Sequence, residues 1–118
     1  MAARKETRGK LRLELVPPEL MEHMARVLEY GARKYGDENW RRGLPYSFFY
    51  AAALRHLLAW YAGDDDDEES KLPHLAHAVC NLVFLLCYQD WGLKAFDDRI
   101  RKNPEIKKED DNDDEVPF

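Results

Sequence analysis

Ser70-Lys-Leu-Pro73-His-Leu-Ala-His77-Ala-Val-Cys-Asn81-Leu-Val-Phe-Leu-Leu-Cys-Tyr88 is the stretch that decides the fold. From Leu75 to Tyr88 only His77 and Asn81 interrupt an apolar run. Ser70 is placed to cap a helix with Pro73 in its first turn, and a helix this apolar is expected to be buried on most sides. It is therefore read as the central helix of the fold or as a dimer interface. Cys80 and Cys87 lie on one face of it, two turns and about 10 Å apart, which is too far for a disulfide, so they read as reduced buried thiols.

Working back from this helix, Asp64-Asp-Asp-Asp-Glu-Glu69 is an acidic connector. Before it, Ser47 is placed to cap a second helix running to about Ala62, with Phe48, Ala52, Leu54, Leu58 and Trp60 among its apolar positions and Gly63 closing it. Tyr35-Gly-Asp-Glu-Asn-Trp40-Arg-Arg-Gly-Leu-Pro45 is rich in turn formers and carries aromatics. A first helix at about 18 to 35 follows from the spacing of Leu20, Met21, Met24, Val27, Leu28 and Ala32, with Pro18 in its first turn and Gly36 as its cap. Leu11 to Val16 alternates like a short extended segment, and residues 1 to 10 are polar and expected to be loose. Beyond Gly92, Phe96 and Ile100 suggest a short fourth helix, and the charged stretch 102 to 118 reads as a disordered acidic tail.

One domain is expected from 118 residues, at 11 to 101, all-α and built as a compact bundle of three main helices plus a short C-terminal one. The net charge of −5 comes largely from the runs 64–69 and 109–115 and argues against non-specific binding of duplex DNA, which needs a basic face. No stretch approaches the roughly 20 apolar residues of a membrane span, so a cytoplasmic protein is expected. A Gly-x-x-x-x-Gly-Lys-Ser/Thr loop, a Gly-x-Gly-x-x-Gly fingerprint and a Cys-x-x-Cys pair are all absent.

The chemistry-bearing residues fall into three groups. His74, His77 and Asn81 stand at i, i+3 and i+7 on one face of the third helix, and one of Arg55 and His56 would face them if the second helix packs antiparallel across the acidic connector. His56, His74 and His77, with Asp67 or Glu69 from the connector, would then make a metal site favouring Zn, Mn, Fe or Co. Alternatively, these histidines hydrogen-bond the connector and fix its entry into the helix. The loop cluster of Arg33, Lys34, Tyr35, Asn39, Trp40, Arg41 and Arg42 combines cations for phosphate with aromatics and an amide for a base, unless Tyr35 and Trp40 pack onto the core. Glu19, Glu22 and Glu29 align on the first helix, as a solvated face or a cation site.

Gly31-Ala-Arg-Lys-Tyr-Gly-Asp-Glu-Asn-Trp40, Arg55-His-Leu-Leu-Ala-Trp60 and Glu69-Ser-Lys-Leu-Pro-His-Leu-Ala-His77 through Asn81, in this order over about residues 11 to 90, resemble the phage dATP/dGTP diphosphohydrolase N-terminal domain family. The resemblance implies hydrolysis of a purine deoxynucleoside triphosphate to monophosphate and pyrophosphate. It also implies kinship with MazG-like all-α pyrophosphohydrolases, Mg²⁺, a homo-oligomer and, for a phage protein, the host cytoplasm. The MazG-like pattern of Glu-x-x-Glu on one helix and Glu-x-x-Asp on the next is replaced here by Arg55-His56 and His74-x-x-His77. Joined to the reading of the residues, this gives Glu69 and His77 catalytic roles and makes His56, Asp67, His74 and His77 metal ligands. Arg33, Lys34, Tyr35, Asn39, Trp40, Arg55 and Asn81 become substrate contacts. A non-enzymatic assembly module of a phage nucleotide-metabolism complex is the second reading, and a phosphohydrolase releasing phosphate or triphosphate the third.

Overall fold

Pro17 and Pro18 start the first helix because a first-turn proline lacks only an amide that would be unpaired anyway and already holds helical φ. In the computed structural model, which describes residues 2–6 and 8–100, helix α1 spans Pro18–Tyr35. Gly36 stops it at φ 96°, its amide donating to the Ala32 carbonyl at 2.8 Å. Helix α2 spans Tyr46–Tyr61 and helix α3 spans His74–Asp90, with no β-strand among the described residues. The chain is thus all-helical with three helices packed together, as the sequence indicates; the expected acidic tail from 102 lies outside the described residues. No described helix is long and apolar enough to cross a membrane.

Four local expectations are corrected. Leu13–Leu15 is a single 3-10 turn and not an extended segment, with no neighbouring strand to pair with. Ser47 lies inside α2 behind Pro45, and its amide and hydroxyl both donate to the Asp98 carboxylate, at 2.9 and 2.5 Å. Ser70 does not cap α3, because the connector closes first: Asp66 bridges Pro73, the Asp67 amide donates to the Leu72 carbonyl at 2.8 Å, and the His74 amide donates to the Asp65 carbonyl at 2.9 Å. That tight return delays the helix to His74 with Pro73 as its cap. The fourth helix shrinks to a 3-10 turn, Lys94–Phe96, and Ile100 is fully exposed.

α3 packs extensively against α2 and, on another side, against α1. Val27 of α1 meets Ala76 and Cys80 of α3, flanked by Met24 and Leu72. Tyr46 and Phe49 of α2 meet Tyr88, with Trp40, Leu44, Leu85, Leu93 and Phe96 around them, and Phe84 belongs to both clusters. The fully buried Tyr88 hydroxyl donates to the Trp40 carbonyl at 2.5 Å and accepts the Gly43 amide at 3.0 Å, pinning the α1–α2 loop to α3. The Phe96 ring occupies the place a Cβ at Gly43 would take, and Gly43 has φ 110°, so this position requires glycine.

α3 is covered on most sides, as its apolarity predicts, but one apolar stripe is left open. Leu75, Leu82 and Leu86 are 41–57% exposed, and Leu54, Leu58 and Tyr61 of α2 are 39–85% exposed. With 100° per residue, the α3 set lies opposite the face carrying His77 and Phe84, and the α2 set opposite the face carrying Phe49 and His56, so each helix has one covered side and one open apolar side.

Candidate functional site

The connector's tight return sets Asp67 above the start of α3, and the antiparallel packing of α2 brings His56 to the same place. His56 Nδ1 lies 2.9 Å from His74 Nδ1. A hydrogen bond at that distance needs one proton between the two nitrogens, so one donates and the other accepts. His56, Asp67 and His74 each offer a donor atom, all within 4.8 Å of one another. Two ring nitrogens near 3 Å apart also match ligands bonded at about 2.1 Å to a common ion.

His77 stands beside this trio. Its ring stacks on His56 with centroids 4.4 Å apart and planes at 7°, and its Nε2 is 2.7 Å from Ser70 Oγ. The Ser70 amide donates to Asp67 Oδ2 at 2.8 Å. Burial holds the His56 imidazole neutral, lowering its pKa to about 4 with help from nearby His77, and burial lowers His77 as well. For Asp67, burial acts to raise the pKa, but the hydrogen bonds from Ser70 outweigh it and keep the carboxylate ionised. Neutral imidazoles beside an ionised carboxylate are the protonation states in which these groups ligate metals.

From this corner a cleft of about 810 Å³ runs between α1, the 39–42 turn, α2 and α3. Lys34, Tyr35, Asn39, Trp40, Arg55, Asn81, Glu69, His56, Asp67 and His77 all line it; Arg33 and the buried His74 do not. Glu69 accepts from Lys34 Nζ at 2.6 Å, and this pair with a hydrogen bond from Tyr30 holds Glu69 below the usual carboxylate range. The same contacts raise Lys34 and Tyr30. Trp40 is stacked against Phe84 at 4.3 Å and Trp91 at 5.7 Å, with the Arg41 guanidinium 4.8 Å from its ring. Tyr35 is 61% exposed on the cleft wall and is the freer of the two aromatics. Asn81 donates to the His77 carbonyl one turn back at 2.9 Å. Of the α1 carboxylates, Glu29 reaches the cleft and Glu19 and Glu22 do not.

Sequence reasoning missed Tyr30 and the dual role of Ser70. Tyr30 and Lys34 are four apart on one helix face, a spacing that could have paired them. Ser70 reads as a helix cap from sequence, and its true partners depend on the closure of the connector.

The family model described as "dATP/dGTP diphosphohydrolase, N-terminal" matches residues 1–99. A protein of Salmonella phage PMBT28 named dATP/dGTP diphosphohydrolase is 40% identical over 85 residues, covering 72% of this chain and 29% of that relative. The chain thus spans less than a third of the relative's length. No solved structure matches it.

Proposed function

Because this chain belongs to the dATP/dGTP diphosphohydrolase N-terminal family, we propose that its cleft binds a purine deoxynucleoside triphosphate and hydrolyses it between the α- and β-phosphates with a divalent ion. The observation that carries this reading is the convergence of His56, Asp67 and His74 at the end of a cleft lined by Lys34 and Arg55. One carboxylate and two imidazoles fit Mn²⁺, Co²⁺ or Zn²⁺ and not the all-oxygen shell Mg²⁺ prefers. Such an ion supplies Lewis acidity toward a phosphate oxygen and lowers the pKa of water.

The chain's own groups do the rest. Lys34 and Arg55 bind phosphate oxygens, Arg33 adds positive charge at the rim, and Asn39 and Tyr35 hold the base, with Trp40 as the packed floor beneath them. Glu69, ionised beside Lys34, takes the proton of the attacking water. The water oxygen bonds to the α-phosphorus, the bond from that phosphorus to the α–β bridging oxygen breaks, and pyrophosphate leaves with the electron pair. His77 and Asn81 border the reacting groups. A second copy of the chain is the partner proposed for the open face of α2 and α3, making the active form a homo-oligomer of the cytoplasm.

The test is product analysis of each deoxynucleoside triphosphate incubated with the protein and Mg²⁺, Mn²⁺, Co²⁺ or Zn²⁺. Monophosphate with pyrophosphate from the purine substrates, lost in Asp67→Asn and His74→Ala, is the expected result. Triphosphate or single phosphate as product would establish the alternative phosphohydrolase. Absence of turnover and of nucleotide binding would leave the open apolar face as the working part and the chain as an assembly module.

A further inference from the structure

We infer that Ser70 and His77 are positioning residues that hold two of the three candidate metal-binding side chains, Asp67 and His56, in place. This inference rests on the metal-site reading above and assigns a role to a hydroxyl outside the ligand set. Three contacts carry it. The Ser70 amide donates to Asp67 Oδ2 at 2.8 Å, Ser70 Oγ meets His77 Nε2 at 2.7 Å, and the His77 ring lies flat on His56, 4.4 Å away. Together they form one path from Asp67 through Ser70 and His77 to His56.

Ser70 Oγ also accepts the Leu72 amide at 3.2 Å. A hydroxyl has one proton and two acceptor sites, so with one site taken by Leu72 it still pairs with His77 Nε2 in either tautomer of that ring. With Nε2 committed to Ser70, His77 acts through its neighbours and supplies no ligand at that nitrogen. Ser70→Ala keeps the main-chain amide on Asp67 and gives up only the hydroxyl's contacts with Leu72 and His77.

Outer partners of metal ligands typically change affinity by about 10- to 100-fold when lost. The experiment is Co²⁺ titration of the metal-free full chain, followed by visible absorption, for wild type, Ser70→Ala, Ser70→Thr, His77→Phe and Asp67→Asn, with melting temperature measured on each metal-free protein. Ser70→Ala is expected to weaken Co²⁺ by about 10- to 100-fold and to alter the absorption bands while its metal-free melting stays near that of wild type. Ser70→Thr, which keeps the hydroxyl, should restore affinity and spectrum. His77→Phe, which keeps the stack on His56 but loses the nitrogen, should resemble Ser70→Ala.

If wild type binds Co²⁺ and Asp67→Asn abolishes it while Ser70→Ala binds as wild type does, the positioning role is overturned and the metal site stands. A wild type that does not bind Co²⁺, or binds it as Asp67→Asn does, overturns the metal site and this inference with it.

Discussion

His56 refuses a proton in the fold until about pH 4, whereas an unfolded histidine accepts one near 6.5. Between those values the unfolded chain binds more protons, so the contribution from His56 is complete above about pH 6.5 and drains away as pH falls toward 4. The ring is only part-buried, and solvent screening limits the loss to about 1 kcal/mol. Asp67, held below its ordinary value, adds a further loss at lower pH. Urea unfolding of chelator-treated protein from pH 7.5 to 4 should show the decline, and His56→Gln should flatten the upper part; a slope unchanged in that variant would place the titration elsewhere. The meeting of His56 with His74 was legible in the sequence, since antiparallel helices joined by a short connector bring their facing ends together. The separation of His77 from the trio was not legible. It depends on where Ser70 lands after the connector folds back, and no spacing rule encodes that.

The spans of α1, α2 and α3 follow from hydrophobic spacing and from prolines and glycines at their ends, so the sequence carries them well. Caps are harder to read because their partners need not be local: the first-turn amide of Ser47 is satisfied by Asp98, at the far end of the described chain. The same non-locality governs the loop between α1 and α2, tied down by a tyrosine of α3. Tyr88→Phe leaves a buried carbonyl and amide without that hydroxyl and is expected to cost about 1–3 kcal/mol in denaturant unfolding. Gly43→Ala should cost about 2 kcal/mol or more, since it meets both a strained φ and the Phe96 ring. A Gly43→Ala protein as stable as wild type would show that the 94–96 turn does not rest on the loop.

Open apolar stripes on two helices, with leucines 39–69% exposed, are the kind of surface that another chain covers. Leu75, Val79, Leu82 and Leu86 repeat at intervals of four, three and four, the spacing of a helix-packing seam. Light scattering should therefore give a dimer or larger assembly. Leu82→Glu with Leu86→Glu should give a monomer of unchanged helix content; a wild-type monomer at all concentrations would remove the proposed partner. Sequence composition points to this helix as either the centre of the fold or a dimer interface and leaves the choice open, because apolarity alone does not say whether the covering atoms belong to the same chain. α1 has a different standing: it packs on α3 and far less on α2, and the Lys34–Glu69 pair at its C-terminal end is exposed. Its amides should exchange with deuterium sooner than those of the α2–α3 layer, as an outer unit that opens before the whole unfolds. A triphosphate gripping Lys34 on one side and the histidine corner on the other would close that opening, so slowed exchange in α1 would register occupancy of the cleft even when no bond is cleaved.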